Sequence, residues 1–271
     1  MNQTRRLIIP HQPKTAGTFA SECLPGGFVR PHCQNFHFLM KNNLIKKTDY
    51  LGCIIRDPLD YYISLITFWC LDEKWVASGR MKEILSVNEK DRLSEYQRLL
   101  KKQMPQTHLR TFREVRTNHP LFLISKGFTL KSVNEILDHF FDEKFIEEAS
   151  QIISRNHHTY DYKVFGQMKR LDIGYYTFAF LDQHASKKIN EIQCREECFD
   201  IIQKIKNDFI VFNNKNISQE LEAFCRENDI PFRMHKTRSM KSNRKEASLY
   251  NFSNEIISKI KEKDGVFFNE L

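Results

Sequence analysis

The chain has no Cys-x-x-Cys pair, no internal repeat, no Gly/Ser-rich linker and no low-complexity tract. Its seven cysteines are odd in number and scattered. Cys194 and Cys198 stand four apart, but no second ligand pair accompanies them, so a zinc site is not expected. Reduced thiols in a cytosol are the better expectation. No apolar run reaches the roughly 20 residues that span a membrane. Residues 1–9 carry Arg5 and Arg6 without the apolar core of a signal peptide, so the expected location is cytoplasmic. Also missing is the Gly-x-x-x-x-Gly-Lys-[Ser/Thr] order of a nucleotide-binding P-loop.

What is present is a basic, Phe-rich globular composition. The 271 residues carry a formal charge of +8, and 41% are hydrophobic, enough to build a sizeable core. The excess of Lys and Arg suits anionic ligands in general: nucleotides, sulfated or acidic glycans, nucleic acids or membrane surfaces. The 22 phenylalanines are expected in the core.

Strand and helix patterns alternate along the first quarter. Residues 5–10 read as a strand, and 17–24 as a short helix stopped by Pro25-Gly26-Gly27. Phe28–Arg30 reads as a second strand, and residues 35–47 have helical spacing at Phe36, Leu39, Met40 and Leu44. Tyr50–Ile55 is a near-continuous apolar run, as a buried parallel strand should be, and a helix follows to about residue 72. This order predicts an α/β fold, three layers deep, with a mainly parallel central sheet. Further helices are expected over 81–103, 131–154, 184–207, 217–227 and 253–263, with a possible strand at 120–124 and another at Asp208–Phe212. Nothing marks a domain boundary, so one domain over 1–271 is expected.

The first segment with chemical content is Ile8-Ile9-Pro10-His11-Gln12-Pro13-Lys14-Thr15-Ala16-Gly17-Thr18-Phe19. Strand, small-residue loop, then helix is an order that cradles anions, because backbone amides at such a junction point outward. Lys14 adds a mobile positive charge, Thr15 and Thr18 add hydroxyls, and Gly17 permits close approach. Lys14 precedes Gly17, the reverse of the nucleotide-binding P-loop.

The second segment is Arg56-Asp57-Pro58 directly after the Tyr50–Ile55 strand, with Ser64 eight residues beyond Arg56. Ligands of open α/β sheets sit at the carboxyl ends of strands, where Arg56 stands. A guanidinium offers a phosphate paired hydrogen bonds, and a serine hydroxyl one more. Alone, an Arg behind a strand is most often a surface ion-pair partner.

Together, H-x-P-K-T-A-G-T and R-D-P-x-x-x-x-x-S resemble the sulfotransferases that use 3′-phosphoadenosine 5′-phosphosulfate (PAPS). The Thr-Ala-Gly form looks like the branch with many carbohydrate and bacterial members. The resemblance implies a P-loop-NTPase-like fold. It implies that Lys14, Thr15, Ala16, Gly17, Thr18 and Phe19 hold the 5′-phosphosulfate, and that Arg56 and Ser64 hold the 3′-phosphate. It implies no metal, an acceptor that is a small molecule or glycan rather than nucleic acid, and an acceptor-side helical insertion over about 75–165. Gln167–Leu171, Asp208–Phe212, His235–Ser239 and Ser253–Leu271 match less specifically. Two departures stand out. Phe19 occupies a position that often carries a hydroxyl, leaving Ser21 as a substitute. Tyr61 and Tyr62 stand where an Arg is common.

Sulfonate transfer needs charge stabilisation at the leaving phosphate, for which Lys14 is placed, and a base for the acceptor hydroxyl. His32 is the first choice. It follows the second strand and precedes Arg56 by 24 residues, an interval similar to that in the cytosolic branch of the family. His11, His37 and Glu22 are rivals, and His157 and His158 read as loop residues. Six basic side chains counting His235 lie within 235–246, Lys236 and Arg238 among them. They form either a solvated loop or a lid that adds charge to the 3′-phosphate. A P-loop-like kinase or hydrolase, and a non-catalytic nucleotide- or nucleic-acid-binding protein, stay open as other classes.

Overall fold

The computed structural model describes residues 5–12, 15–25, 29–30, 34–70, 88, 161–234 and 252–270. The helices expected over 81–103 and 131–154, the possible strand at 120–124, and His157 and His158 lie outside the described residues. The chain forms two compact units: residues 1–61, 170–241 and 260–271 in the first, and 62–169 and 242–259 in the second.

The first unit is α/β. Strands β1 (Leu7–Pro10), β2 (Val29–Arg30), β3 (Tyr50–Ile55) and β4 (Ile210–Asn213) form one sheet in the order β2-β1-β3-β4. All three pairings are parallel, with Leu7 opposite Tyr50 and Gly52 opposite Ile210. Side chains alternate across a pleated strand. Leu7 and Ile9 of β1, Ile54 of β3 and Phe212 of β4 therefore share one face. There they pack with Phe19, Ala20 and Cys23 of α1 (Gly17–Cys23) and with Ile217, Leu221 and Cys225 of α7 (Ile217–Glu227). At the opposite end of the sheet, Arg6 holds the entry to β3. Its Nε and Nη2 reach the two oxygens of the buried Asp49 carboxylate at 2.9 and 2.5 Å.

Helix α2 (Phe36–Lys41) is shorter than the spacing over 35–47 predicts. The Asn35 side chain accepts the Phe38 N–H at 2.9 Å and starts the helix. Asn43 takes a left-handed φ of 52°, Leu44 N–H reaches back to Leu39 O at 3.0 Å, and Asn43 N–H to Met40 O at 3.1 Å. These paired bonds satisfy the last carbonyls and turn the chain away, so Leu44 keeps the helical interval without being helical.

The helix expected over 184–207 starts later, at Arg195, and a separate helix precedes it. Residues Tyr175–His184 (α5) and Arg195–Asp208 (α6) are separated by a turn that contains the short 3₁₀ segment Ile189–Glu191. Glu197, in the first turn of α6, accepts the Gln193 N–H at 2.6 Å and pairs with Lys187. Negative charge at that end favours a helix start there. The strand and helix at 208–227 and the closing helix α8 (Asn254–Asp264) follow the expected bounds to within two residues.

In the second unit the described elements are helices: most of α3 (Pro58–Cys70), α4 (Asp161–Leu171) up to Lys169, and the start of α8. Ser253 begins α8 by accepting the Ile256 N–H at 3.2 Å. No described helix is long and apolar enough to cross a membrane.

Candidate anion-binding site

The strand order decides where a ligand can sit. From β1 the chain steps outward to β2, then returns across β1 to β3 on its other side. The reversal falls between β1 and β3, the place at which ligands of open α/β sheets bind. The loop after β1 begins His11-Gln12, and the loop after β3 begins Arg56-Asp57. The two segments singled out in the sequence thus leave neighbouring parallel strands at one sheet edge.

The loop after β1 is held from inside. Thr15 is buried, and its hydroxyl donates to the Gln12 carbonyl at 2.9 Å. Its one proton closes the loop, which leaves the Thr15 backbone amide as the group this residue can offer an anion. Ala16 takes φ 64°, ψ 18°, a left-handed turn that few side chains tolerate, and enters α1 without a capping side chain. The α1 ladder begins with the Ala20 N–H on Ala16 O at 3.0 Å. Gly17 is required by a close approach: a Cβ there would lie 1.9 Å from His11 Cδ2. The His11 ring occupies the space a side chain would need, so this rival base buttresses the loop. Phe19 lies in the core, so its side chain serves packing and leaves its backbone to the loop. Ser21 is exposed and Glu22 half-buried on α1. Lys14, His32, Lys236, Arg238 and the Thr18 side chain lie outside the described residues.

The loop after β3 is a helix start. Asp57 Oδ1 accepts the Asp60 N–H at 3.0 Å and its carbonyl accepts the Tyr61 N–H at 2.8 Å. Asp57 is therefore the N-cap of α3, and Pro58, which has no N–H to satisfy, takes the first helical position. In Arg-Asp-Pro the last two residues build the turn, and Arg56, half-buried, is left as its chemical group. Ser64 is buried two turns along α3, in the second unit. His37, the remaining rival base, bonds through Nδ1 to the Ser186 carbonyl at 2.8 Å and ties α2 to the turn after α5.

Compared with protein-family models, curated proteins and solved structures, the chain matches none.

Four residues behind the loops escaped the reading of the sequence. Gln12 is buried within the first loop. Tyr176, on α5, accepts the Arg56 backbone N–H on its hydroxyl at 2.8 Å. Burial drives the Tyr61 and Tyr176 hydroxyls well above the usual phenol range, so both stay protonated and act as hydrogen-bonding groups rather than bases. His184 bonds through Nδ1 to Phe180 O at 2.9 Å with its other nitrogen toward the Pro10 carbonyl, and burial pushes it down to about 4. A neutral imidazole therefore underlies the end of β1. Asp264 holds the start of α5. Local patterns did not reveal Tyr176 and Asp264 because each acts on a partner far away in sequence. The one signal was Gly174 ahead of α5, a helix start without a capping side chain.

Proposed function

We propose that this chain is a PAPS-dependent sulfotransferase that sulfonates a hydroxyl group of a carbohydrate or small metabolite. One observation carries the reading: the Lys-Thr-Ala-Gly-Thr loop and the Arg-Asp-Pro loop leave adjacent parallel strands at the point where the sheet reverses direction. A ligand with two separated anionic groups, as a nucleotide bisphosphate has, matches two anion-binding loops on one edge. The three-layer, P-loop-like arrangement and a cytoplasmic location are part of the same proposal.

In this reading Lys14 and the amides of the Thr15–Phe19 segment hold the phosphosulfate, with Thr18 adding a hydroxyl. Arg56 and Ser64 bind the 3′-phosphate, with Lys236 and Arg238 adding charge. His32 takes the acceptor proton as the acceptor oxygen bonds to sulfur and the bond from sulfur to the phosphate oxygen breaks. Lys14 neutralises the departing phosphate, so charge stabilisation comes from the protein without a metal. The acceptor is read by the 75–165 segment.

Thermal stabilisation tests this directly. Adenosine 3′,5′-bisphosphate should raise the melting temperature in the absence of Mg²⁺, because a ligand that binds only the folded state stabilises it. Stabilisation by Mg·ATP alone would assign the site to a kinase or hydrolase instead.

A further inference from the structure

Resting on the reading above, we propose that Tyr61 and Tyr176 are positioning residues that hold the β1 and β3 loops in register, so that one ligand can place an anionic group in each. The contacts run continuously through the first unit. Gln12, in the β1 loop, is 1% exposed and its carbonyl holds Thr15. Its side-chain amide reaches the Tyr61 hydroxyl. The Tyr61 and Tyr176 rings lie 4.3 Å apart at 36°, both fully buried. The Tyr176 hydroxyl then takes the Arg56 N–H, the first amide of the β3 loop.

The far side of this link is also anchored. The Tyr176 ring lies 4.5 Å from Phe267, and the next residue, Thr177, is held by Asp264. The tyrosine pair thus stands on a fixed base. Rigid aromatic rings transmit position well, because a buried ring in close packing cannot shift without moving its neighbours. The Tyr176 hydroxyl meets the β3 loop at the Arg56 amide, so its removal alters loop placement while the ring packing is kept.

The experiment compares adenosine 3′,5′-bisphosphate, which engages both loops, with adenosine 5′-monophosphate, which lacks the 3′-phosphate. Affinities are measured by titration calorimetry without Mg²⁺ for the wild type, Tyr61→Phe, Tyr176→Phe and the double variant. Tyr50→Phe, at the opposite end of β3, is the control. The wild type should prefer the bisphosphate. Tyr176→Phe should lose roughly tenfold in bisphosphate affinity and less than about twofold in monophosphate affinity, as expected for one lost hydrogen bond. Amide exchange at Arg56 should accelerate in the same variant. If the wild type prefers the bisphosphate and the variants keep that preference, the positioning role is wrong and the proposed function stands. Equal losses for both nucleotides would mark the tyrosines as general supports and overturn the proposal. No bisphosphate preference in the wild type would overturn the functional reading, and the positioning role with it.

Discussion

Asp264 caps a helix to which it does not belong: its Oδ1 accepts both the backbone N–H of Thr177, at 2.9 Å, and the Thr177 hydroxyl, at 2.6 Å. Thr177 is the third residue of α5, the position an N-cap side chain normally serves. Gly174, at the N-cap, has no side chain to offer, and a Cβ there would lie 2.1 Å from Asp264 Oδ2. The glycine makes room for a carboxylate delivered from the end of α8.

Asp264→Ala should therefore cost about 3 kcal/mol in urea unfolding, since it strands a buried N–H and a hydroxyl together. Gly174→Ala should destabilise by overlap with the carboxylate. In the double variant the two effects should fall well short of adding, because with the carboxylate gone the new methyl has room. Strict additivity would show that residues 174 and 264 do not share this space.

His184 predicts a pH dependence. Its folded pKa lies near 4 against an ordinary 6.5, so between those values the unfolded chain binds the extra proton. Stability should accordingly fall as pH drops from 6.5 toward 4 and lose no more to this group below that. The loss approaches about 3 kcal/mol for a shift of this size. Urea midpoints at several pH values for the wild type and His184→Gln check this: the gap between the two curves should narrow on acidification, and parallel curves would exclude the role.

Gly17→Ala should lower both stability and anion affinity, because the new Cβ would overlap the His11 ring. His11→Ala on that background should restore part of the loss by vacating the ring's position. A calorimetric double-mutant cycle with adenosine 3′,5′-bisphosphate measures the coupling, and zero coupling would separate the two residues.

The proposed chemistry makes its own demands. Labelled-sulfonate transfer should vanish in Lys14→Ala and His32→Ala, with His32→Ala still binding the bisphosphate. Arg56→Ala should weaken nucleotide binding by about tenfold or more, as expected for loss of a charge-assisted pair. Activity surviving in His32→Ala would move the base to another residue, with Glu22 the first to test.

Tyr50–Ile55 was readable to the residue because a strand buried on both faces is a continuous apolar run, a pattern few other elements share. The Schellman-type turn at Asn43 was not, since Asn is tolerated in a helix and only its left-handed φ reveals the stop. The start of α6 was hidden for a similar reason: the expected helix ran back to residue 184, whereas the bonds of Glu197 to Gln193 and Lys187 hold a turn ahead of Arg195.

By itself the sequence determined the strand-loop-helix order, the two loops and the residue types they present, because these depend on neighbours within a few positions. The tertiary structure alone decided that the loops share a sheet edge, that Thr15 and His11 shape the first loop, and that Asp57 caps α3. It also brought Tyr176 and Asp264 behind the site from more than a hundred residues away, a meeting that hydrogen-bond geometry and close packing enforce and that no local pattern records.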